Sequence, residues 1–239
     1  MSGHSKWANI KRRKEAVDGK KANIFSKLGK EITIAVRDGG ADPSVNRKLK
    51  DVISKAKSNN MPNDNIQRCI QKASGESSSV NYEEIIYEGF GPCSVSVIIE
   101  AMTDNKNRAA ADIRSVFTKA GGSMGQTGCV SYMFDKKGVI VIERNDNIDE
   151  DELMLEVLDN GAEDFIVDEE YIEIRVEVNN FSSLKDYLED KGFVFVEAEI
   201  KMIANMPKEL TEEEENKLQI FLDKLDDLDD VQNVWHNAI

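Results

Sequence analysis

Residues 135–200, DKKGVIVIERNDNIDEDELMLEVLDNGAEDFIVDEEYIEIRVEVNNFSSLKDYLEDKGFVFVEAEI, decide the fold. The stretch reads as a strand at 138–143, a helix at 149–159, strands at 163–168 and 171–178, a helix at 181–190 and a strand at 193–200. Short runs rich in Val, Ile, Phe and Tyr alternate with segments of helical spacing. The order βαββαβ is that of a ferredoxin-like sandwich, which closes on itself with its helices on one face.

The last forty residues offer a strand near 198–204, a helix at about 211–226 and a strand at 230–235. Thr211 with Glu214 makes a capping box for that helix. This piece is too small to fold alone. It is expected to return to a sheet begun upstream of the ferredoxin-like unit. There, Tyr82 to Tyr87 and Ser94 to Glu100 read as strands joined by Gly89-Phe90-Gly91-Pro92. Asp104 is expected to cap a helix from about Asn107 to Ala120, which Gly121-Gly122 stops. The loop 121–128, GGSMGQTG, holds four glycines. A glycine loop cradles phosphate when it runs from a strand into a helix. This one runs from a helix into a strand, so a conformationally demanding turn is the better reading. Lys106 and Arg108 stand at a helix start, against its dipole. That marks either a solvated turn or a contact.

Towards the N-terminus, residues 20–38 read as a helix with Ile24, Leu28, Ile32 and Ala35 at helical spacing. Asp42-Pro43 announces a second helix, with Val45, Leu49, Val52, Ile53 and Ala56 as its apolar set. A third follows Met61-Pro62 and shows Ile66, Ile70 and Ala73. Residues 1 to about 18 read as an arm, mobile or only partly helical. The expected architecture is therefore a multidomain α+β protein. A three-helix domain spans 1–79 and ends in the linker 75–79. A discontinuous α/β middle domain takes 80–134 plus 201–239, and the ferredoxin-like domain 135–200 is inserted in it.

The charge is strongly partitioned. The chain carries −14 overall, yet residues 1–79 hold 17 Lys and Arg against 8 Asp and Glu, a net of +9. The remaining residues carry −23. The first thirty residues alone carry +7, from Lys6, Lys11, Arg12, Arg13, Lys14, Lys20, Lys21, Lys27 and Lys30 against Glu15 and Asp18. A one-sign patch on an oppositely charged protein suits the phosphate backbone of nucleic acid. Those nine cations are the candidate nucleic-acid-binding residues. Lys20, Lys27, Lys30 and Arg37 fall on an arc beside the apolar stripe of their helix. Trp7 joins them, since an aromatic ring among cations can stack on an unpaired base. Anchoring of the arm by Trp7 is an equal alternative.

Other classes find little support. There is no HExxH, CxxC, nucleophile elbow or dinucleotide fingerprint, and the only histidines are His4 and His236. No catalytic residue, metal, cofactor or small-molecule substrate is implied. No apolar run approaches a membrane span. Three well-separated cysteines without an export signal suit reduced thiols in a cytoplasm.

The segments GHSKWANIKRRK, KLGKEI, SKAKSNNMPNDNIQR, YEGFGP, EAMTDNKNR, GGSMGQTGCVSYMF and KKGVI closely resemble the YebC/PmpR family. Its mitochondrial member is the translational activator of cytochrome c oxidase subunit I. The matches run in order from residue 2 to about 142. Because they begin at Ser2, no presequence is expected. Cys93 departs from the pattern: family members usually have glycine after Gly-Pro. The resemblance implies three domains, the third inserted in the second, and a role in gene expression without catalysis. Many members are described as DNA-binding regulators of transcription. Others resemble RNA-binding translation factors that act on the ribosome and relieve stalling on proline-rich nascent chains.

Overall fold

The computed structural model describes the backbone of residues 6–75 and 81–239, and side chains within 21–75 and 81–239. In chain order the elements are α1 (Lys6–Gly39), α2 (Arg47–Ser58), α3 (Asn63–Ser74), β1 (Glu83–Phe90), β2 (Ser96–Thr103), α4 (Lys106–Lys119), β3 (Ser123–Met124), β4 (Phe134–Glu143), α5 (Glu150–Asp159), β5 (Ala162–Val167), β6 (Tyr171–Glu177), α6 (Val178–Asp190), β7 (Phe195–Ala204), α7 (Glu212–Asp226) and β8 (Val231–His236). The protein is a multidomain α+β chain. It divides into two compact units, 131–206 and the discontinuous 1–130 plus 207–239.

Unit 131–206 is a four-stranded antiparallel sheet of order β5-β6-β4-β7, with α5 and α6 on one face. That order is the ferredoxin-like one. Ile140, Ile142, Ile172, Ile174 and Val176 point to the helices, where Leu153, Val157, Phe181, Leu184 and Leu188 meet them. Gly138 is required at this contact, because a Cβ there would stand 2.5 Å from the Phe181 ring. The strand expected near 198–204 does not return to the other sheet. β7 continues to Ala204, paired with Phe134. The reason is the length of β4, which begins at Phe134 and supplies a partner along the whole run.

In the other unit a sheet of order β3-β1-β2-β8 is antiparallel throughout. β8 returns to pair with β2, and α4 and α7 cover one face. Their core includes Val97, Ile99, Ile113, Leu222 and Val234, with Phe117 and Phe221 edge to face at 5.0 Å. The capping box of Thr211 and Glu214 opens α7. Asn105, not Asp104, caps α4 by accepting from Arg108 N. The GFGPCS turn places both Cys93 and Ser94 at φ 57°. Glycine takes that left-handed region without steric cost and other residues do not, which is why a glycine suits position 93.

The same unit holds the three-helix bundle, built on Leu28, Ile32, Ala35, Leu49, Val52, Ala56, Ile66 and Ile70. α1 is one helix from Lys6, longer than the expected 20–38. Ala, Lys, Arg and Glu, all good helix formers, make up eight of the fourteen added residues 6–19. The Asp42-Pro43 signal also reads differently. Asp42 accepts from Ser44 N and Oγ in a turn. Asn46 is the true cap of α2, and the expected core residue Val45 is exposed before it. The buried Asn46 side chain accepts from Leu49 N at 3.0 Å and donates to Ala35 O and Gly40 O, each at 2.7 Å. It thereby ties the start of α2 to the end of α1.

Candidate nucleic-acid interface

Of the ten candidate residues, the side chains of Lys6, Trp7, Lys11, Arg12, Arg13, Lys14 and Lys20 lie outside the described residues; their backbone is in α1. Lys21 is exposed. Lys27 and Lys30 are not open to a polyanion. Lys27 Nζ donates to Asp226 O at 2.9 Å, and Asn23 Nδ2 to the same oxygen at 3.1 Å. Lys30 is 9% exposed and donates to Asp230 Oδ1 at 2.7 Å, Asp229 O at 2.8 Å and Met102 O at 3.3 Å. The physical reason lies at the end of α7. A helix C-terminus leaves carbonyls unpaired and carries partial negative charge. Here Asp226, Asp227, Asp229 and Asp230 add to it. The two lysines of α1 satisfy the carbonyls and offset the charge.

Asp230 is the hub of that contact. Its carboxylate accepts from Lys30, from Thr103 Oγ1 at 2.9 Å and from Arg108 Nη2 at 2.8 Å. Burial pushes its pKa up, but the hydrogen bonds from Lys30, Arg108 and Thr103 outweigh that and hold it below the usual carboxylate value. Arg108 also bonds Asp104, so its guanidinium is held charged. Lys106 pairs with Glu83. The two cations at the start of α4 therefore serve contacts within the chain. A cavity of about 550 Å³ beside them is lined by Lys30, Tyr82, Asp104, Arg108, Asp112 and Asp229, among others. Its balance is acidic, which disfavours phosphate.

The glycine loop also has its anion from within. Glu88 is 3% exposed, and its carboxylate accepts from Gly128 N at 2.7 Å and Val130 N at 2.9 Å. Its carbonyl takes Gly125 N at 2.8 Å. The backbone donors of the loop's far side thus cradle a carboxylate of β1. The neighbouring Cys129 thiol is pushed up, first by burial and then by Glu88.

Four cations that sequence reasoning did not single out remain outward. Lys50 and Lys57 on α2, and Arg68 and Lys72 on α3, are exposed. Among the described residues none of the four has an ion-pair or hydrogen-bond partner for its side chain. Their neighbours differ: Lys48 is paired with Asp38 and Glu84, and Lys55 with Glu31. Helical spacing marks the outward arc of each helix. It does not tell Lys50 and Lys57 from Lys48 and Lys55, whose carboxylate partners are distant in sequence.

Two family profiles match the chain: "TACO1/YebC protein N-terminal domain" over residues 5–76 and "TACO1/YebC second and third domain" over 82–238. A probable transcriptional regulatory protein of Acetivibrio thermocellus is 55% identical over 241 residues, covering 99% of this chain and 98% of that protein. One of Clostridium beijerinckii is 55% identical over 238 residues, covering 100% and 97%. The crystal structure of a conserved hypothetical protein from Aquifex aeolicus superposes with a TM-score of 0.82 at 39% identity, covering 93% of this chain and 92% of that one.

Proposed function

The chain belongs to the TACO1/YebC family, and from that premise we propose that it is a regulator of gene expression that binds nucleic acid through its basic N-terminal domain, residues 1–79. The observation that carries the reading is the charge partition. Residues 1–79 hold +9 while the unit 131–206 alone holds 7 basic and 21 acidic residues, a net of −14. A polyanion attracts the first segment and repels the second, so the charge partition favours docking through residues 1–79. The redirection of Lys27 and Lys30 into the protein narrows the contact to the other cations of 1–79. Lys6, Lys11, Arg12, Arg13, Lys14, Lys20 and Lys21 remain its candidates, with Trp7 as a stacking ring.

The resemblance in sequence favours a ribosome-associated translation factor that binds ribosomal RNA and relieves stalling on proline-rich nascent chains. The family role implied is non-enzymatic, and the setting a cytoplasm. Among the described residues no helix is long and apolar enough to cross a membrane. The printed names of the relatives favour a second reading, a DNA-binding regulator of transcription. Both readings make binding salt-sensitive, with log affinity falling by roughly 0.7 per phosphate contact on single strands and 0.9 on duplex DNA.

Sedimentation of cell lysate on a sucrose gradient separates them. The wild-type chain is expected to travel with ribosomes, and a chain with Lys11, Arg12, Arg13 and Lys14 changed to Glu is expected to stay at the top. Wild type that never travels with ribosomes removes the translation reading. A footprint on one promoter at physiological salt puts the DNA reading in its place.

A further inference from the structure

We infer that the outward faces of α2 and α3 form a second phosphate-contacting surface, built from Lys50, Lys57, Arg68 and Lys72, which takes the backbone of RNA. This rests on the nucleic-acid reading above and adds a surface to it. Among the described cations of the N-terminal domain, two sets stand apart. Lys27, Lys30, Lys48 and Lys55 each meet an acceptor within the chain, and Lys30 does so while buried. Lys50, Lys57, Arg68 and Lys72 are exposed with no such acceptor among the described residues.

The helical positions make the separation physical. On α2, Leu49, Val52 and Ala56 are buried. At about 100° per residue, Lys50 and Lys57 lie within about 20° of each other, roughly a third of a turn from the centre of that face. They stand two turns apart, about 10.5 Å along the axis. On α3, Ile66 and Ile70 are buried. Arg68 and Lys72 are one turn apart on the side turned away from them, about 6 Å along the axis. Two cations on each helix, spaced along its length, suit a run of phosphates rather than a single anion. Asp64 stands one turn before Arg68 on the same side of α3, with no ion pair between them among the described residues, so the four cations keep a positive excess that a polyanion would neutralise. The net charge of −14 on unit 131–206 makes the bundle the more favourable part of the chain for such a partner.

The test uses the full chain with a fluorescent single-stranded 30-nucleotide RNA, titrated at several NaCl concentrations. One variant carries Lys50→Gln, Lys57→Gln, Arg68→Gln and Lys72→Gln. A control carries Arg114→Gln, Lys119→Gln, Lys136→Gln and Lys224→Gln, four exposed cations outside the bundle. Both lose the same net charge. Circular dichroism checks that each keeps its helix content. Four phosphate contacts predict that the bundle variant's log–log salt slope falls by about 2.8, with affinity at 0.15 M salt falling by up to about 200-fold. The control is expected to keep the wild-type slope within about 0.5. A bundle variant that binds with the wild-type slope overturns the inference and leaves nucleic-acid binding by the N-terminal helix standing. Equal losses in both variants overturn it too, since net charge would then be the cause. An effect seen with duplex DNA and absent with RNA overturns the choice of RNA. A wild-type chain that binds neither probe overturns both this surface and the function proposed above.

Discussion

Changing Glu88 to Gln keeps the shape of the side chain and replaces one acceptor oxygen by a donor. Two backbone N–H groups, from Gly128 at 2.7 Å and Val130 at 2.9 Å, end on that carboxylate. The amide can serve one of them and must oppose the other. A hydrogen bond to a charged group contributes about 1.5–3 kcal/mol, and a buried donor left unmet costs about 1–3 kcal/mol. Both sums are reduced by relaxation of the exposed loop tip, and the expected loss is about 3 kcal/mol. For a chain of this length that lowers the midpoint of thermal unfolding by about 6–12 °C. The transition to follow is that of unit 1–130 plus 207–239, since unit 131–206 has its own core. Calorimetry separates the two by amplitude. Amide hydrogen exchange gives the local reading: 3 kcal/mol corresponds to a rise of roughly 100-fold or more at Gly128 and Val130. Unchanged midpoint and unchanged protection at those two amides would refute the clasp.

Cys93→Gly is expected to stabilise the chain by about 0.5–1 kcal/mol, because relief of a left-handed φ exceeds the entropy that glycine adds to the unfolded chain; a urea midpoint that falls contradicts this. Asp230→Asn is expected to cost about 3 kcal/mol by leaving Lys30 without its buried charge partner, read by urea unfolding at pH 7. Because the folded-state pKa of Asp230 is depressed, its contribution is complete above the unfolded carboxylate value near 4 and is lost as pH falls through the lower folded value. The difference in stability between wild type and Asp230→Asn should therefore shrink below about pH 4. Asn46→Ala removes the cap of α2 and two bonds to the end of α1, with an expected loss of about 2–3 kcal/mol; a loss under about 0.5 kcal/mol in the same assay would show that the cap is dispensable.

The ferredoxin-like order was legible because each of its elements carries its own periodicity and the connections are short. The end of β7 was not, since nothing local distinguishes a strand that continues on β4 from one that leaves for another sheet. Lys27 and Lys30 mark the limit more sharply. Their spacing on α1 places them beside the apolar stripe, where a lysine is either solvated or paired. The acceptors that decide the matter are at Asp226, Asp229 and Asp230, about 200 residues away. Aspartates after the C-terminal end of a helix were the available hint, because charge placed against a dipole requires compensation. Glu88 was hidden in the same way: the glycines showed that the loop was special, and only the strand pairing of β1 with β3 shows what it wraps.

Whether residues 1–79 do the gripping is tested most directly by ultraviolet cross-linking of the protein to RNA in living cells, followed by mass spectrometry of the peptides that carry nucleotide. Adducts concentrated within residues 1–79 and absent from 131–206 are the expected result. Adducts gathered on the acidic unit, with the N-terminal helices unmarked, would contradict the account.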